Sequence, residues 1–184
     1  MRSPKIFLLI VLSLLLASFA APAQKRKYGT AKTAKASTTV VEPISTDALK
    51  TLVTQQRPGP LLVNFWATFC DPCRDEFPDL VKIDNDYRPQ SLQFVTVSLD
   101  DLTDIKTEVP KFLDAMKATG PAYLLDANDP EPAIKLMDPR WSGALPATFL
   151  FNGKGEIVYK HIGRVDAAEL RGEIDKLVKK GEVQ

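Results

Sequence analysis

The sequence predicts an α/β domain whose elements run in the order βαβ, an inserted αβα segment, then ββα. Three observations carry this. Leu61 to Phe65 is an apolar run bounded upstream by Pro58-Gly59-Pro60, the pattern of a buried strand. Leu80, Val81, Ile83 and Tyr87 then recur at helical spacing. Leu92 to Leu99 is a second β-rich run, closed by Asp100-Asp101. A helix between two strands makes a parallel pair the expected arrangement, so a later hairpin makes the sheet mixed.

Residues 1–23 read as a targeting segment. Arg2 and Lys5 form a positive start, Ile6 to Leu16 is almost unbroken apolar sequence, and Ala21-Pro22-Ala23 offers a small-residue cleavage site. Stretched to Ala21, the apolar run is also marginally long enough for an uncleaved membrane anchor. No cysteine follows it, which excludes a lipid-modified N-terminus. On either alternative the domain is exported, periplasmic or secreted, into an oxidising compartment. Gln24 to Pro43 is rich in Lys, Ala and Thr and is expected to be a disordered linker. Its Lys25-Arg26-Lys27 cluster fits a solvated tail better than a lipid contact.

The globular part is expected over residues 44–184. Ser45 and Asp47 are N-cap candidates for a helix carrying Leu49, Leu52 and Val53 and ending near Gln56. The strand to Phe65 follows, then a helix that Pro78 should kink. Asp104 to Thr119 reads as helical, with Pro110 in its first turn and Val109, Phe112, Leu113 and Met116 facing inward. Gly120-Pro121 ends it. Ala122 to Leu125 is a short strand, and a short helix from Asp129-Pro130 runs to Met137. Leu145 to Phe151 and Glu156 to Ile162 flank Asn152-Gly153-Lys154-Gly155 as a β-hairpin. Asp166 caps a last helix bearing Leu170, Ile174, Leu177 and Val178.

The chemistry lies in Trp66-Ala67-Thr68-Phe69-Cys70-Asp71-Pro72-Cys73-Arg74-Asp75-Glu76-Phe77-Pro78, where the first strand ends and a helix begins. Unpaired N–H groups and the positive end of the helix dipole would stabilise a thiolate at Cys70. Cys73 lies one turn on, Pro72 restrains the backbone between them, and the pair can form and open a disulfide. A structural zinc site needs about four ligands. The chain has two cysteines and one histidine, His161, so no metal is expected. A bridge this tight constrains too little chain to be chiefly structural. Of 184 residues, 24 are Lys or Arg and 23 Asp or Glu. That balance gives no basic excess for nucleic acid.

These residues resemble the thioredoxin fold, and most closely the exported thiol–disulfide oxidoreductases of the TlpA/ResA-like group. Val63 to Pro78 looks like that group's active-site signature, and Leu145-Pro146-Ala147-Thr148-Phe149 like its cis-proline strand. Gly155-Glu156-Ile157-Val158 and Gly163 fit as well. The resemblance runs from about Ile44 to Val178, insertion included. It implies a redox-active Cys70–Cys73 disulfide with no further cofactor, Cys70 as exposed nucleophile and Cys73 as buried resolving thiol. It implies a cis Pro146, with Leu145 helping to set substrate contacts and Trp66 lying either in the apolar surface beside the cysteines or in the core. Asp71 and Pro72 would sit at the substrate-facing turn. Implied partners are protein disulfides, such as apocytochrome c before haem attachment, and a membrane thiol-electron donor; a lone Cys pair favours a monomer.

Two departures from thioredoxin bear on mechanism. Where thioredoxin has a buried Asp, this chain has Asn64, which cannot take a proton. Glu76, one turn beyond Cys73, is the expected proton partner of that thiol, with a pKa raised by partial burial. Asp71 stands where thioredoxin has Gly, and its charge disfavours a thiolate at Cys70. A less stabilised thiolate makes the better reductant. The expectation is therefore a disulfide reductase, with an exported oxidase or isomerase as the alternative. A copper chaperone using Cys70, Cys73 and His161 is weaker, because His161 falls on a hairpin strand. Peroxidase activity is weaker still: the Pro-x-x-x-Thr-x-x-Cys pattern is absent, Thr68 and Cys70 being two apart.

Overall fold

The computed structural model describes residues 39–181, with side chains as far as Val178. The targeting segment, the cleavage site and residues 24–38 of the expected linker lie outside the described residues. Among the described residues six strands form one sheet: β1 Glu42–Ile44, β2 Leu61–Trp66, β3 Gln93–Ser98, β4 Ala122–Leu125, β5 Ala147–Phe151 and β6 Ile157–Ile162. The helices are α1 Thr46–Thr54, α2 Asp71–Tyr87, α3 Glu108–Met116, α4 Glu131–Met137 and α5 Ala167–Gly181. Strand order is β1-β4-β3-β2-β5-β6. The first four neighbours pair parallel, while β5 runs antiparallel to β2 and to β6. The mixed sheet and the βαβ–insertion–ββα order agree with the sequence.

The helix ends are set by side chains the sequence supplies. Ser45 Oγ accepts from the Ala48 N–H at 3.2 Å and caps α1. Asp166 Oδ1 accepts from the N–H groups of Ala168 and Glu169 and caps α5. Cys70 itself is the N-cap of α2, its Sγ accepting from the Cys73 N–H at 3.2 Å.

Strand β2 is buried along its whole length, and its period of two divides the core. Leu61, Val63 and Phe65 join the cluster containing Leu49 and Val53 of α1 and Ala133, Ile134 and Met137 of α4. On the opposite face Leu62 packs with Leu80, Ile83, Leu170 and Ile174. Trp66, also on that face, packs with Phe77, Phe112 and Leu113. Asn64 sits between those two clusters, on the face that α2 covers. Phe77 is fully buried, edge-on to Trp66 at 5.0 Å and to Phe112 at 5.1 Å. Phe77→Ala should therefore lower unfolding free energy by about 3–5 kcal/mol, read from urea denaturation of the oxidised protein.

Two expectations change. Residues 39–43, assigned to the linker, belong to the domain: β1 begins at Glu42 and pairs with β4, and the Thr39 N–H donates to Asp114 Oδ1 at 3.1 Å. Three residues that bury only Ile44 leave no periodic signal. The helix expected over Asp104–Thr119 is broken into a 3₁₀ turn, Leu102–Lys106, and α3. Pro110 explains the break, since its ring clashes with the carbonyl four residues back, that of Lys106. Lys117, at φ 59°, ends α3 early. Helix α2 is continuous through Pro78, which leaves the Arg74 carbonyl without its helical donor.

Candidate active site

The end of β2 delivers the chain to the start of α2, and both cysteines lie at that junction. They form a disulfide with Cα atoms 5.3 Å apart. Cys73 is fully buried, whereas Cys70 is 8% exposed, so Cys70 is the sulfur on the solvent side. Asp71 and Pro72 are exposed beside it. Phe69 is 75% exposed, a large aromatic held in water one residue before Cys70. Next to it, Thr68, Arg74, Lys111 and Phe112 help line a groove of about 340 Å³.

Trp66 is not part of this surface. It is fully buried, stacked on Phe112 at 4.4 Å, and takes the core alternative. Alternation along β2 turns its side chain under α2, and the aromatic that reaches solvent is Phe69, three residues later.

Glu76 is 1% exposed. Its Oε1 accepts from Asn64 Nδ2 at 2.8 Å, and its Oε2 accepts from the Val165 N–H at 3.0 Å. Burial pushes its carboxyl above the ordinary value of 4.5, the two hydrogen bonds pulling the other way with less effect. Asn64 Nδ2 also donates to Thr148 Oγ1 at 3.1 Å, and Thr148 is the register partner of Asn64 on β5. Asn64 Oδ1 is buried without a hydrogen-bond partner. Turning that amide over would present Oδ1 to Glu76, so one side chain can serve Glu76 as a carboxylate or as an acid.

The Leu145–Pro146 peptide bond is cis. Pro146 is buried, and its carbonyl accepts from the Gly163 N–H at 2.8 Å. Leu145 is half-buried and packs on the cluster that holds both cysteines. Cys70, Cys73 and Leu145 thus share one apolar cluster, with Pro146 next in the chain and Glu76 one turn along α2. His161 is apart from them: half-buried on β6, it lies parallel to the Tyr159 ring at 6.4 Å and opposite Thr148. Among the described residues no three His, Cys, Asp or Glu side chains are grouped to hold a metal ion.

Sequence reasoning missed Thr148 and the Val165 N–H as parts of this region. A polar residue at Asn64 within an otherwise apolar strand was the available sign of a buried polar pair. The others are joined to it only by the fold.

A profile of the AhpC/TSA family matches residues 29–160. The chain belongs to the AhpC/TSA family. Within it the similarity is to thiol–disulfide proteins. Over 115 residues the chain is 30% identical to the thioredoxin-like protein YneN of Bacillus subtilis, covering 62% of this chain and 63% of that one. Over 103 residues it is 28% identical to the thiol-disulfide oxidoreductase ResA of Halalkalibacterium halodurans, covering 56% and 53%. These matches span about half to three-fifths of the relatives' own length. Among solved structures, a thioredoxin-like protein from Porphyromonas gingivalis superposes with a TM-score of 0.54 at 28% identity, covering 67% of this chain and 78% of that one. The TlpA/ResA-like resemblance and the thioredoxin-like fold are thereby supported. In this member of the AhpC/TSA family the cysteines are spaced Cys-x-x-Cys, at the start of α2.

Proposed function

We propose that this chain exchanges thiols and disulfides with exported proteins through Cys70 and Cys73, acting as a reductase. The observation that carries the proposal is the disulfide itself, with its solvent-side sulfur capping α2 and its buried sulfur one turn from an acid of raised pKa. In the dithiol form the Cys70 thiolate attacks one sulfur of a substrate disulfide. A Cys70–substrate bond forms, the substrate S–S bond breaks, and the released thiolate takes a proton from water. Glu76 then accepts the Cys73 proton, and the Cys73 sulfur attacks Cys70. The mixed disulfide breaks, the second substrate sulfur leaves as a thiolate and takes a proton from water, Glu76 gives the proton it accepted back to water, and Cys70–Cys73 is oxidised. Two electrons have moved from the pair to the substrate.

Two features support the reductive direction. The exposed Asp71 places negative charge beside Cys70. Asn64 adds no charge beside Glu76. An exported reductase needs electrons, so a membrane thiol carrier is the proposed donor and residues 1–23 the proposed export signal or anchor. Apocytochrome c is one proposed substrate class. Exposed Phe69 with the groove beside it, and half-buried Leu145, suit an extended polypeptide more than a small thiol. The test is turnover of native insulin disulfides with dithiothreitol as reductant. Activity well above dithiothreitol alone is expected, and an inert protein would contradict the proposal.

A further inference from the structure

We infer that Asp100 is a positioning residue for Cys70, acting through Thr68 to fix the turn that presents Cys70 and Phe69 to a protein disulfide. The inference rests on the thiol–disulfide function proposed above.

Asp100 lies just past the end of β3 and is 8% exposed. Both of its carboxyl oxygens accept from the Thr68 N–H at 3.0 Å. Oδ1 also accepts from Thr68 Oγ1 at 2.6 Å. Oδ2 accepts from the Ser98 hydroxyl, and the Asp100 N–H donates to Ser98 Oγ at 3.0 Å. A carboxyl group offers about four acceptor sites. Here most of that capacity is spent on a single residue, two positions before Cys70.

The far side of the same residue is held as well. Arg74 Nη2, from the first turn of α2, donates to the Thr68 carbonyl at 3.2 Å. The Arg74 guanidinium lies over the Phe112 ring, 4.8 Å from its centroid. The Leu99 N–H donates to the Trp66 carbonyl at 2.8 Å, and the Cys70 N–H to that of Ala67 at 3.1 Å. Every residue from Trp66 to Cys70 except Phe69 is therefore tied down through its backbone. Phe69 is the one left in solvent. A turn fixed this way presents the sulfur and the aromatic ring in one geometry before any substrate arrives. Displacing a reacting group by about 1 Å can slow a reaction about 10²-fold.

Asp100→Ala removes every acceptor from Thr68, whereas Asp100→Asn keeps one oxygen for the Thr68 N–H. Full-length wild type and both variants are compared for kcat/KM on native insulin, with thermal unfolding of the oxidised forms as the check on folding. Asp100→Ala should lose at least about tenfold in kcat/KM, and Asp100→Asn should recover most of that loss. A folded Asp100→Ala within about twofold of wild type would overturn the inference, and so would equal losses in the two variants. If Asp100→Ala does not fold, Thr68→Val replaces it, removing only the hydroxyl bond, and the same outcomes are read with a smaller expected loss. Wild-type protein inert on insulin would instead strike the proposed function, before any variant is compared.

Discussion

Cys73→Ser should stop turnover and leave Cys70 joined to its substrate. The first attack needs only Cys70, the sulfur on the solvent side, so the variant still forms a mixed disulfide. The second attack needs a sulfur that the serine lacks, and the complex has no internal route to release. A band combining the masses of protein and substrate should accumulate on non-reducing gels and vanish with dithiothreitol. Cys70→Ser should form no such band, because Cys73 is fully buried and cannot reach a protein substrate first. Trapping by Cys70→Ser in place of Cys73→Ser would reverse the assigned roles.

Glu76→Gln should slow release of the mixed disulfide by about 10²-fold, within the range that positioned acid–base groups supply. In wild type the rate should rise with pH as Glu76 loses its proton and becomes able to take one from Cys73. In the variant that limb should be missing, and the rate should rise only as Cys73 itself ionises. Unchanged exchange rates across pH would refute the role. The same substitution carries a stability signature of opposite sense. Burial holds the Glu76 carboxyl above 4.5 in the folded protein, so the unfolded chain ionises first as pH rises. The stability Glu76 contributes is fully present below about 4.5 and is lost as pH rises through the folded value. Gln cannot ionise, so Glu76→Gln should gain stability relative to wild type across that window. The Asn64 amide, turned over, can accept from the new Gln N–H, which keeps the buried pair satisfied. Urea midpoints measured below and above the window check the sign.

The site was legible where chemistry is local in the chain. Cys70, Cys73 and Glu76 lie within seven residues, and helix geometry alone puts them on one end of α2. Strands β2 to β6 announced themselves through apolar runs and turn residues. What the sequence could not show depends on residues far apart. Thr148 meets Asn64 because β5 pairs antiparallel with β2, and Val165 meets Glu76 across the β6–α5 connection. Asp100 reads in the sequence as the close of a strand, and its grip on Thr68 exists only because β3 lies beside β2. Trp66 was ambiguous for a different reason: an aromatic at a strand end can turn to either face, and packing against Phe77 and Phe112 settles which. Strand β1 gave no signal because three edge residues carry no period.

The reduction potential of the Cys70–Cys73 pair tests the proposed reductase most directly, by equilibrating residues 24–184 against glutathione or dithiothreitol buffers. A reductase fed by a membrane donor predicts a value near or below that of thioredoxin, about −270 mV. A value near that of strong exported oxidants, about −120 mV, would contradict it and assign the chain to disulfide formation.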